Sequence, residues 1–395
     1  MRRIRSTTIA VLASTLLAGS LTGCQFGGAE QQEAGDVLIA ADLELSGAMA
    51  QVGTAYQRAL ELRVEQINSS GVLGDRQLRL EIRDNRSDPS ESLRNIDDFT
   101  GNPAVSAIIM GSCNDCAIGA TRTLNERRVP TIALAPATAV SAPIAERRYL
   151  FKLAPNAVDS VAALAPELRR LTVRKVGLLY TEDTYGQEGV TLLTGDLPDA
   201  GIQVSKSQSV KVTDTDLSQA VESLTTVDTD ALIFWTSPEQ AMAAAESARD
   251  AGYQGRIFFD AAAAGDLFLD GAADRSTDDM NMLFTQTMVI DDVIATNPAK
   301  TARKQWFRDY TARFGGYYGF SSFAADAVQL LVNALVRLPE SAETPDRDSI
   351  RTLLETSQMD GLSGPIRMTP DNHSGLMPQA LTMLVSRGGR WRLAG

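Results

Sequence analysis

Cys113 and Cys116 are separated by two residues in Gly111-Ser112-Cys113-Asn114-Asp115-Cys116. That spacing suits either a local disulfide or a thiol–disulfide exchange centre. An apolar run, Val105 to Met110, precedes the pair, and Ala117 to Arg127 behind it has helical period. A thiol at the start of a helix has a lowered pKa, so redox chemistry is one candidate function. Little else in the chain is equipped for covalent catalysis. His373 is the sole histidine in 395 residues, which removes most His-based triads and multi-His metal sites. It lies in Pro370-Asp371-Asn372-His373-Ser374-Gly375, a turn-like run in which it reads as a solvated loop residue. No metal and no cofactor is expected.

The third thiol, Cys24, has a different setting. Arg2, Arg3 and Arg5 form a basic start, Ile9 to Leu17 is a short apolar run, and Ala18, Gly19 and Ser20 form a small-residue junction. This is the pattern of a secretory signal, and its apolar run is too short to span a bilayer. Leu21-Thr22-Gly23-Cys24 resembles the lipobox of bacterial lipoproteins. The resemblance implies that residues 1–23 are removed and that Cys24 is lipidated, tying the chain to the outer face of a membrane. Residues 24–35, polar and Gly-rich, read as a flexible tether. An exported protein then keeps two thiols, and Cys113 and Cys116 are expected to pair.

The remaining 360 or so residues need elements that could position a site. A chain of that length exceeds what one core usually supports, so two domains are expected. A net charge of -12, with no Lys/Arg-rich run after the signal, argues against nucleic acid or a second electrostatic membrane contact. Short β-rich runs alternate with amphipathic helical stretches. Strands are predicted at 37–41, 78–82, 105–110 and 131–134, with helices at 48–68, 90–99 and 117–127. After a long connection the rhythm restarts, with strands at 176–180, 202–212, 231–235 and 256–259 and helices at 185–196, 216–227 and 238–252. A strand near 282–289, helices near 298–314 and 321–338, and a small β-rich end follow. Two runs of this kind imply an α/β protein of two doubly wound parallel-sheet lobes. Ligands of such sheets sit outside the carboxyl ends of the strands. The segments to inspect are therefore 43–52, 111–116, 135–138, 181–186, 236–239 and 260–266.

Those segments resemble the type I periplasmic solute-binding proteins of ABC importers, of the branched-chain amino acid type. The landmarks are Leu45-Ser46-Gly47 with Gly53, Ala59 through Asn68 with Gly71 and Gly74, and Asp84-Asn85 with Asp88-Pro89. Gly111, Pro136-Ala137-Thr138, Asp183-Thr184-Tyr185-Gly186, Asp216-Leu217 and Gly361 to Pro365 continue the series in order. The resemblance implies two lobes that close around a solute by hinge bending, joined by three crossings near Asn156, Thr287 and Gly375. Residues 36–156 with 287–374 would form the first lobe, and 157–286 with 375–395 the second.

It also implies binding residues. Ser46 lies in the first strand-to-helix loop. Thr138 and the Ala137 backbone fit the group that holds a ligand α-carboxylate, although Thr138 equally suits a helix cap. Asp115 replaces a usual Ser; it either caps its own helix or meets a cationic or hydrogen-bond-donating ligand group. Tyr185 and Trp235 occupy aromatic positions of the second lobe, and Asp260 is the candidate acid, two positions early. The resemblance points to a monomeric receptor for a small polar solute, an amino acid or a related amine or amide, that serves an ABC permease and ATPase complex. A sensor of the same fold that signals to a membrane partner is the alternative, and a thiol–disulfide enzyme is a third reading.

Overall fold

The computed structural model describes residues 35–263, 280–290, 293–339 and 344–394; the tether and Cys24 lie outside them. The first sheet is built from β1 (Val37–Leu43), β2 (Leu78–Asp84), β3 (Val105–Met110), β4 (Thr131–Ala133) and β5 (Leu150–Lys152). All pairs are parallel, in the order β2-β1-β3-β4-β5. Helices α1 (Ala50–Ser70), α2 (Pro89–Gly101) and α3 (Asn114–Arg127) make the crossovers. The sequence dictates this locally. β3 is apolar but for Ser106 and wholly buried, as a strand covered on both faces must be. α2 starts where Asp88 Oδ1 accepts from Glu91 N–H at 2.8 Å with Pro89 at the first turn.

The second sheet repeats the plan. It contains α4 (Ala157–Arg170), β6 (Lys175–Thr181), α5 (Thr184–Asp196), β7 (Gln203–Val210), α6 (Ser218–Thr225), β8 (Ala231–Trp235), α7 (Pro238–Asp250), β9 (Arg256–Phe259) and β10 (Asn281–Thr285). The parallel order β7-β6-β8-β9-β10 matches the first sheet strand for strand. In both sheets the order reverses beside the first strand, between β1 and β3 and between β6 and β8. A crevice opens at such a switch point.

The chain then returns to the first sheet's helices. α8 (Pro298–Phe314) and α9 (Ser321–Leu335) pack on α1, and α9 is buried along nearly its whole length. α10 (Arg347–Leu354) and the β11 (Gln358–Asp360)–β12 (Pro365–Arg367) hairpin follow. Ser374 bridges in parallel to Lys152 at the edge of the first sheet, after which β13 (Leu381–Arg387) joins β10 antiparallel, with β14 (Arg390–Leu393) outside it.

Three expectations need correction. The long connection between 135 and 175 holds β5 and α4; Pro166 within α4 interrupts a helical spacing that Val161, Leu164 and Leu168 otherwise keep buried. The strand expected to 289 ends at Thr285, and residues 286–289 turn as a 3₁₀ helix where the chain leaves the second sheet. His373 is fully buried, not solvated. Its ring stacks on Phe151 with centroids 4.1 Å apart, and its Nε2 lies 3.1 Å from Glu355 Oε1. The Thr369–Asn372 turn carries the chain back against β5, which draws the next side chain inward.

Candidate functional site

A cavity of about 50 Å³ lies where the strand ends of the two sheets face each other. Met49 and Val52 follow β1, Ser112 and Asn114 follow β3, and Leu134 and Pro136 follow β4. From the opposite side come Thr181, Asp183 and Tyr185 after β6, Thr236 and Ser237 after β8, and Ala261 and Ala262 after β9. Tyr56 of α1, with Phe320 and Phe323 at the start of α9, completes the apolar part of the wall.

The first-sheet wall is shaped by carboxylates behind it. Glu44 is buried, and its Oε2 accepts from Ser112 N–H at 3.0 Å and from the Ser112 hydroxyl at 3.2 Å. Its Oε1 accepts from Cys113 N–H at 3.1 Å and from the Asn85 amide at 3.2 Å. A Cβ at position 111 would sit 2.1 Å from Glu44 Oε2, so any larger residue there would have to displace that carboxylate. Burial pushes the Glu44 carboxyl pKa up. Asp42 sits beside it and accepts from Ser92, Asn95 and Asn85; burial outweighs those bonds and lifts its pKa to about 6. Cys113 and Cys116 are joined by a disulfide across the first turn of α3, and Cys113 Sγ accepts from Cys116 N–H at 3.2 Å.

The second-sheet wall carries its polar groups at the surface of the cavity. Asp183 caps α5, accepting from Gly186 N–H at 3.0 Å and from Thr181 Oγ1 at 2.6 Å. Gly186 is sterically required, since a Cβ would lie 1.8 Å from the Thr181 carbonyl oxygen. The Tyr185 hydroxyl donates to Asp260 Oδ2 at 2.5 Å, and the Ala262 and Ala263 N–H groups also donate to that carboxyl. Burial nevertheless raises Asp260 to about 7. Tyr185 stacks on Trp235 with centroids 5.2 Å apart.

Contacts also cross between the walls. The Asn114 amide donates to Asp183 Oδ2 at 3.3 Å, the Thr184 hydroxyl donates to Asp115, and Thr138 N–H donates to Glu188 Oε2 at 2.8 Å. At the first crossing, the buried Lys152 ammonium donates to the Ala154 and Pro155 carbonyls and to Asn156 Oδ1. Burial pulls its pKa down to about 7.

Of the residues singled out in the sequence, only Tyr185 lines the cavity. Ser46 turns its hydroxyl onto Asp84 Oδ2 at 2.6 Å. Asp115 is exposed in the first turn of α3, and its neighbour Asn114 faces the cavity instead. The Ala137 N–H is taken by Asn114 Oδ1 at 2.8 Å, and the Thr138 hydroxyl has no hydrogen-bond partner. Trp235 stands behind Tyr185, and Asp260 behind Tyr185 and Ala262. Sequence reasoning missed Glu44, Asn114, Tyr56, Phe320 and Phe323. The aromatic run Tyr317-Tyr318-Gly319-Phe320 ahead of a helix was a usable signal for the last pair. Among the described residues no group of His, Cys, Asp or Glu converges as a metal site would.

Residues 37–389 match the family described as periplasmic binding protein. An extracellular ligand-binding receptor from Rhodopseudomonas palustris HaA2 superposes with a TM-score of 0.79 at 20% identity, over 91% of this chain and 99% of that one. LivJ from Streptococcus pneumoniae, a branched-chain amino acid transporter substrate binding protein solved with isoleucine, gives 0.76 at 19% identity, over 90% and 98%. A solute binding protein of an ABC transporter from Rhodopseudomonas palustris BisB5, in complex with 3,4-dihydroxybenzoic acid, gives 0.78 at 13% identity, over 90% and 95%. At such identities the likeness is one of fold.

Proposed function

The chain belongs to the periplasmic binding protein family, and from that premise we propose that it is the extracytoplasmic solute receptor of an ABC importer. Its cargo is a small solute of the amino-acid, amine or amide class, and it hands that cargo to a permease and ATPase complex. The observation that carries this reading is the cavity at the paired strand ends, lined from both sheets. A ligand touching both walls favours the closed arrangement by its differential affinity, which is how hinge closure is driven. The lobes are 36–156 with 287–374 and 157–286 with 375–395. Lipidation at Cys24 anchors the monomer to the membrane, and the protein binds without turning its cargo over.

Intrinsic fluorescence tests the binding step, because Trp235 stacks on the cavity residue Tyr185. A solute that binds in the cleft should change the emission of the mature protein, and Trp235→Phe should remove most of that change. Solution scattering should show the chain contracting. A bound solute that alters neither signal would count against the cleft reading. Anchoring is checked separately: Cys24→Ala should release the protein from membranes, and mass spectrometry should find the lipid only on the parent chain.

A further inference from the structure

The walls of the cavity carry one sign of charge. Among the described residues, no Lys, Arg or His lines it. Three helix N-termini converge there, the usual seat for an anionic ligand group, and at each of them part of the donor set is already taken by the protein's own acceptors. At α3, Glu44 takes the Ser112 and Cys113 N–H groups. At α5, Asp183 takes the Gly186 N–H, and at α7 the Ser237 hydroxyl accepts from Gln240 N–H at 3.3 Å. The Ala137 and Thr138 N–H groups are taken by Asn114 and Glu188. Lys152, beneath Ala154 and Pro155, directs its ammonium onto backbone carbonyls.

Acceptors and π faces remain. Asp183 Oδ2 accepts one long bond, from Asn114. Next to the lining residues Ser237 and Val52, the Glu239 carboxylate lies against its own N–H, the Gln51 N–H and the Ser237 hydroxyl, none of them closing a hydrogen bond of good geometry. The rings of Tyr56, Tyr185, Phe320 and Phe323 face the same space. An ammonium group gains from aromatic faces and a nearby carboxylate, more so when desolvated. A ligand carboxylate would meet Asp183 in the wall and Glu44 behind Ser112, with the Ser112, Cys113, Ala137 and Thr138 N–H groups already taken.

We propose that this cavity selects a small organic cation, an amine or quaternary ammonium group on a compact apolar body, and rejects ligands that bring a carboxylate. This rests on the cleft reading above and narrows its cargo. Glu44 takes the place that a ligand carboxylate would otherwise fill.

The test is calorimetry on the mature chain with matched probes. They are isoamylamine, isoamyl alcohol and isovalerate; phenethylamine, phenethyl alcohol and phenylacetate; choline; and leucine. At least one amine or choline should bind, with each binding amine at least tenfold tighter than its alcohol, and neither carboxylates nor leucine should compete. Asp183→Asn keeps a capping side chain, and Glu239→Gln keeps the shape, so both variants should fold; each should weaken the cation about tenfold and spare any alcohol. Tighter binding of a carboxylate or of leucine overturns the proposal, as does silence from every cationic probe. If such a carboxylate is lost on Tyr185→Ala and Phe320→Ala, the cleft reading stands and only the cation selectivity falls. A probe that ignores both of those variants refutes the cleft reading itself.

Discussion

The two walls of the cavity solve the same problem in opposite ways. On the first-sheet side the acids are set back: Glu44 lies buried behind Ser112 and organises the backbone that faces the cavity, and the buried Asp42 is held by Ser92, Asn95 and Asn85. On the second-sheet side Asp183 and Tyr185 stand in the wall themselves, with a single buried acid, Asp260, fixing the tyrosine. Both sheets share one topology, so the difference comes from side chains and not from the scaffold. The set-back Glu44 carboxylate holds four donors together, whereas Asp260 on the second side holds three, the tyrosine hydroxyl and two alanine N–H groups. Removing an acid should therefore do more damage on the first side.

Glu44→Ala should be the most damaging single change. It strips the acceptor from two backbone N–H groups, a hydroxyl and an amide, all buried or nearly so. An unpaired buried donor costs about 1–3 kcal/mol, so the total should reach roughly 3–5 kcal/mol after partial entry of water. Tyr185→Phe removes one bond from Asp260 and leaves the two alanine N–H donors, for a loss of about 1–2 kcal/mol. Urea denaturation of both variants measures the contrast. Equal losses would mean that the set-back network is no more cooperative than a single bond.

The walls should also separate by pH. Asp42 and Asp260 have folded pKa values raised to about 6 and about 7 by burial. The stability each contributes is complete below its unfolded value and is lost as pH rises through the folded one. Lys152 behaves conversely: with its folded pKa lowered to about 7, its contribution is present above its unfolded value and lost as pH falls through 7. Stability should thus decline from about pH 4 to 7 and recover toward 10. Asp42→Asn should flatten the part of the decline that ends near pH 6, and Asp260→Asn the part that ends near 7. A decline that neither variant alters would place its source outside the cavity.

The strand-end segments were legible from the sequence; most of the side chains that matter within them were not. Hydrophobic period placed β1, β3, β6 and β8, and all six segments contributed residues to the cavity, among them Met49, Val52, Ser112, Asn114, Pro136, Asp183, Tyr185, Ser237 and Ala262. Period does not report rotation at a helix start. α3 begins three residues earlier than its apolar pattern suggests, so Asn114 turns inward and Asp115 outward. Glu44 escaped notice because a charged residue directly after an apolar strand reads as the beginning of a solvated loop. Its burial depends on Gly111 and Ser112, nearly seventy residues away. Phe320 and Phe323 reach the cavity only because α9 packs on α1, a contact that no local pattern encodes.

The smallest expected effect concerns the disulfide on the first wall. Cys113–Cys116 closes one turn, and loop-closure entropy for so short a loop amounts to about 2 kcal/mol. Part of that should be recovered in a Cys113→Ser, Cys116→Ser variant. Cys113 is the N-cap of α3, with its sulfur accepting from Cys116 N–H, and serine is a stronger cap at that position. The net loss should fall near 1 kcal/mol, while Glu44 continues to hold the Ser112 and Cys113 N–H groups. Denaturation of the variant, beside the parent with and without reductant, gives the stability term. Amide exchange at Ser112 and Cys113 reports on the cradle itself: protection close to that of the parent assigns the organisation of this wall to Glu44, and a collapse of protection assigns it to the disulfide.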